Sequence, residues 1–74
     1  MPGMPYGVQI GCLTVGCETE VESRRLRRVA RAAETRLGRI LDAQEALRLT
    51  EYSKRGVGIS ADLIARKWID AGRP

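Results

Sequence analysis

Residues 19–54 read TEVESRRLRRVARAAETRLGRILDAQEALRLTEYSK, and this stretch decides the fold class. Thr19 followed by Glu22 has the spacing of a capping box, in which each side chain satisfies a free amide at a helix start. No proline follows until Pro74, and within the stretch only Gly38 interrupts the helix formers. Leu26, Ala30, Ala33, Leu37, Ile40, Gln44 and Leu47 keep a heptad a/d spacing. The spacing predicts a mainly α fold, with either one long amphipathic helix over 19–54 or two helices divided between Gly38 and Asp42. Glycine inside a helix costs only about 1 kcal/mol relative to alanine, so propensity leaves both arrangements open.

Working outward, Met-Pro-Gly-Met-Pro over 1–5 reads as a disordered lead-in. The run YGVQIGCLTVG over 6–16 reads as a short N-terminal β-strand or hairpin. Val8 and Ile10 fall on one face of a continuous strand and Leu13 and Val15 on the other, which calls for a bulge at Gly11 or burial of both faces. A lone strand in so short a chain leaves its edge unpaired, which predicts a homodimer or a strand added to a partner. On the other side, Arg55-Gly56-Val57-Gly58 predicts a turn, and Ser60 caps a C-terminal helix over 60–71. Asp62 falls in its first turn, Arg66 and Lys67 in later turns, and Gly72 and Pro74 stop it. Its buried face is Ala61, Ile64, Ala65 and Trp68, with Leu63 and Ile69 at the margins. Trp68 is expected to dock this helix, the alternative being an exposed anchor for a partner.

The 74 residues suit one small domain. Phe is absent and the aromatics are Trp68, Tyr6 and Tyr52, so the core is aliphatic and thin for a monomer, which again favours a dimer. Lys and Arg number 13 against 9 Asp and Glu, a net charge of +4, and 11 of the 13 are arginine. Arginine stays charged and binds phosphates and carboxylates with a planar fork. On a helical wheel Arg24, Arg28 and Arg31 lie opposite Leu26, Val29, Ala30 and Ala33, with Arg27 beside them. Arg24 with Arg28, and Arg27 with Arg31, repel at i,i+4, while Glu20 offers Arg24 one favourable pair. A face chosen only for solubility mixes signs, as Glu34, Asp42, Glu45 and Arg48 do further along. Arg24, Arg27, Arg28 and Arg31, together with Arg66, Lys67 and Trp68, are therefore the candidate residues for binding nucleic acid or a protein partner.

Without histidine, a phosphate-binding glycine motif or paired carboxylates on an apolar surface, none of the usual catalytic constellations can be assembled, and the chain reads as a binding protein, not an enzyme, with no cofactor. Cys12 and Cys17 are too few to close a zinc site in one chain, and their spacing exceeds that of the common knuckle. No metal is expected. Two reduced thiols fit a cytoplasmic protein. The apolar segment from Gly7 to Val15 is shorter than the roughly 20 residues of a membrane span.

Leu41-Asp42-Ala43, followed by EALRLTEYSKRGVGIS and ADLIARKWI, resembles the ribbon-helix-helix family of DNA-binding repressors, plasmid accessory proteins and antitoxins. The resemblance covers about half the chain. It implies an obligate dimer whose paired strands enter the major groove while the start of the second helix grips phosphate. The segment Arg36–Leu41 departs from that pattern, since its residues do not alternate as a strand's do. Ile59-Ser60 with Arg66-Lys67-Trp68-Ile69-Asp70-Ala71-Gly72-Arg73-Pro74 is similar to the recognition helix of excisionase-type helix-turn-helix proteins. Charge and resemblance together predict a small dimeric DNA-binding repressor or accessory factor of the phage, plasmid or toxin-antitoxin kind. The alternative is a module or inhibitor that docks on an acidic face of a larger protein complex.

Overall fold

The expectations for the N-terminal segment resolve into a hairpin. The computed structural model describes residues 6–74, so the lead-in expected over 1–5 lies outside the described residues. Two antiparallel strands, β1 (Tyr6–Ile10) and β2 (Leu13–Cys17), pair with Ile10 opposite Leu13, Val8 opposite Val15 and Tyr6 opposite Cys17. Their connection is two residues long, and Gly11 takes φ 60 at its first position, as a type II′ turn requires. Directly opposed residues share a face of the sheet, so Val8, Ile10, Leu13, Val15 and Cys17 all point to the helices. No bulge is needed. The turn itself reverses the apparent phase that the sequence shows between Ile10 and Leu13. Gly7, Gln9, Thr14 and Gly16 occupy the exposed face.

The long helical stretch is two helices. α1 (Glu20–Leu37) starts at Thr19, whose hydroxyl accepts the Glu22 amide at 3.0 Å, and ends at Gly38, which takes the left-handed φ of 74. α2 (Ala43–Arg55) opens with a complete capping box between Asp42 and Glu45. Because the path turns at Gly38, the heptad does not continue through it. Ile40 is 70% exposed, Leu47 is 56% exposed and Gln44 is exposed too, while α2 buries its own stripe of Ala46, Leu49, Thr50 and Ser53. The segment 36–41, which the ribbon-helix-helix resemblance would make a strand, finishes α1 and forms this connection, with Leu41 in the core.

α3 (Ala61–Asp70) begins at the Ser60 cap, whose hydroxyl accepts the Leu63 amide at 3.4 Å, and buries Ile64, Ala65 and Trp68 of the expected face, while Ala61 is half-buried. α1 is the central element, contacting the hairpin, α2 and, most extensively, α3. The largest fully buried side chains, Trp68, Ile10, Leu41, Leu49, Ile64, Val8 and Val29, come from the hairpin, all three helices and a connection, so one core joins them. Trp68 is 0% exposed, and its indole N–H donates to the Pro74 carbonyl at 2.8 Å. It is the anchor of α3 and cannot be a surface contact for a partner, which removes it from the candidate binding residues.

Candidate functional site

The buried stripe of α1, Ser23, Leu26, Val29, Ala30 and Ala33, determines what its opposite face presents. Arg24, Arg27, Arg28 and Arg31 are all exposed there. Arg24 pairs with Glu20 one turn earlier, both side chains being more than half exposed, a geometry that contributes little to stability. Among the described residues Arg27, Arg28 and Arg31 have no carboxylate within salt-bridge distance. Three charged forks thus stand in water along one helical crest.

Shallow depressions flank that crest. On the hairpin side, a depression of about 370 Å³ joins Gly7, Gln9 and Ile10 of β1 to Arg27, Ala30, Arg31 and Glu34 of α1. On the other side, one of about 520 Å³ joins Arg28, Arg31, Ala32 and Thr35 to Ser60, Ala61 and Asp62 at the start of α3. Ser60 and Ala61 also meet Val21, Arg24, Arg25 and Arg28 in a neighbouring hollow. The close packing of α3 on α1 therefore sets a helix start, with its outward amides and positive dipole end, among arginines. Such an arrangement favours anions, although Asp62 in the first turn offsets part of the charge.

Arg66 and Lys67 are exposed on α3 and are not among the residues lining these depressions. Arg25 is the residue that sequence reasoning missed. Its guanidinium donates to the Gly56 carbonyl at 2.6 Å and ties α1 to the connection after α2, while its Nε is buried without a partner. Its position at the margin of the wheel, between buried and wet faces, was the available signal. The start of α3 was legible as a cap, but its placement beside Arg28 and Arg31 was not.

Cys12 is exposed at the hairpin turn and Cys17 is buried at its far end, both as free thiols. Burial, and then the charge of Glu22, pushes the Cys17 thiol up from its ordinary range, so it stays protonated at neutral pH. Among the described residues no group of three or more Cys, Asp or Glu side chains is placed to hold a metal ion. No described helix is long and apolar enough to cross a membrane. No family model, curated protein or solved structure matches the chain.

Proposed function

We propose that the chain binds duplex DNA through its phosphate backbone, as a small regulator or accessory factor acting by occupancy and not by catalysis. The observation that carries this reading is the crest of α1. Arg27, Arg28 and Arg31 are exposed and, among the described residues, have no carboxylate partner, and the start of α3 lies beside Arg28 and Arg31. Keeping like charges together costs a few tenths of a kcal/mol per i,i+4 pair, a cost that an anionic partner reverses. The net charge of +4 acts in the same direction over longer range. Phosphates released of their counterions supply the affinity, and Gln9, beside Arg27 and Arg31, is the residue type that reads adenine in the major groove.

The test is anisotropy of a labelled random-sequence duplex at about 50 and about 200 mM salt, the range over which phosphate contacts lose most affinity. Contact with about six phosphates gives a log-log salt slope near −5. Arg27→Ala, Arg28→Ala and Arg31→Ala should each weaken binding severalfold and reduce that slope by about 1, while Arg66→Ala changes it less. Absence of salt-dependent binding at the lower salt overturns the reading and transfers the crest to an acidic protein surface.

A further inference from the structure

Beyond the arginine crest, the molecule has an unpaired sheet edge directly above an apolar cleft. In a hairpin with a two-residue turn, Ile10 and Leu13 exchange backbone hydrogen bonds, and bonded pairs then alternate along the ladder. The N–H and C=O groups of Thr14 and Gly16 accordingly point away from β1. Among the described residues no third strand takes them, since the sheet has two strands. Beside this edge lies a cleft of about 290 Å³, bounded by Val15 and Cys17 of β2, Leu26 of α1, Thr50 and Ser53 of α2, and Val57. Val57 is 80% exposed at its rim, although the chain has few large apolar side chains to spare. Arg25 and Lys54 stand at the same cleft with Glu22; Lys54 pairs with Glu51 at 3.0 Å, while among the described residues Arg25 has no carboxylate within salt-bridge distance. Glu22 is engaged by the Glu18 amide at 3.2 Å, and Arg25 keeps its buried Nε without a partner.

We infer that this cleft and the β2 edge together bind an extended, acidic segment of another protein, which adds to the hairpin as a third strand and lowers one apolar side chain beside Val57. An extended peptide is the one class of ligand that meets all three features at once. Its backbone completes the edge, its alternate side chains reach the cleft, and a carboxylate answers Arg25. A second copy of this chain fits less well. Pairing two β2 edges about a two-fold axis brings together two rims on each of which Arg25 has no carboxylate partner among the described residues, in a chain already carrying +4. The cleft adjoins the crest at Arg25, which also lines the hollow of Arg24 and Arg28, so variants at Arg24 and Arg28 tell the two sites apart.

The probe is a labelled hexapeptide, Glu-Glu-Val-Thr-Val-Glu, titrated against the full chain, alongside a twin with lysines for glutamates and a twin N-methylated at the threonine and both valines, which blocks the ladder in either strand direction. Saturable binding of the acidic peptide is expected, with at least about a tenfold loss for each twin and for Val57→Glu, which alters only an exposed side chain. The amides of Thr14 and Gly16 should exchange with solvent about tenfold more slowly in the complex, as amides entering a ladder do. Arg24→Ala/Arg28→Ala should bind the peptide as the parent does. The inference is overturned by the absence of binding, by equal binding of the methylated twin, or by loss of binding on removing Arg24 and Arg28, which would assign the peptide to the crest. It is also overturned if the free chain doubles its mass with concentration and Val57→Glu abolishes that doubling, because the edge then belongs to a second copy.

Discussion

Glu45 reads in the sequence as one more charge on a helix of mixed sign, yet its side chain is only 9% exposed. Arg39 grips both of its oxygens, at 2.7 and 2.8 Å, Arg73 approaches at 3.4 Å, and the Asp42 amide donates to it at 3.1 Å. The Arg39 hydrogen bonds, reinforced by the Asp42 amide and the two positive charges, outweigh burial and hold the carboxyl at about 2, against an ordinary 4.5. Because Glu45 is harder to protonate in the folded chain than in the unfolded one, its stabilisation is complete above pH about 4.5 and is lost as pH falls toward about 2. Glu45→Gln should cost about 2 kcal/mol at pH 7, allowing for the exposure of both arginines. Thermal melts should show the gap between parent and variant closing between pH 4.5 and pH 2, and a gap independent of pH would refute this account. A capping spacing at Asp42 and Glu45 was available in the sequence, although these residues read there only as surface charges of mixed sign. The arginine contacts were not legible there, since Arg73 arrives from beyond α3, 28 residues away in the chain.

At the scale of elements, the hairpin turn and the α1–α2 connection hold each other in place. A side chain on Gly11 would run into the Leu41 carbonyl oxygen, and its φ of 60 is one that other residues adopt at a cost of about 1–2 kcal/mol. Gly11→Ala is therefore expected to lose about 2 kcal/mol or more, read as a lower denaturant midpoint, whereas Cys12→Ser at the exposed neighbouring position should move it little. Equal midpoints for the two variants would show that the turn does not rest on Leu41. The phase shift between Ile10 and Leu13 was present in the sequence, but a bulge and a two-residue turn account for it equally well until the ladder is seen. Gly38 likewise marks the end of α1 in the sequence without deciding it. In the structure Gly38 takes the left-handed φ of 74 that ends α1, and the turn after it returns Leu41 and Leu49 to the shared core.

Across the whole molecule a single core, centred on α1 and closed by Trp68, supports every surface feature. Domains of this size hold only a few kcal/mol in reserve, and Trp→Ala in a core costs about 3–5 kcal/mol. Trp68→Ala should therefore unfold much of the population, seen as loss of helical circular dichroism near room temperature. The milder Trp68→Phe should stay folded and bind DNA as the parent does, because the indole is buried; a specific loss of affinity in that folded variant would restore Trp68 to the binding residues. The sequence by itself determined the mainly α class, the caps at Thr19 and Ser60, the buried faces of α1 and α3, and the arginine crest, because these depend on local spacing and charge. Tertiary structure alone decided that the start of α3 lies beside Arg28 and Arg31, that Glu45 is held by Arg39 and Arg73, and that a cleft opens under the β2 edge. Each of those depends on which distant surfaces meet when apolar area is removed from water, and the period of a single helix or strand carries no record of that.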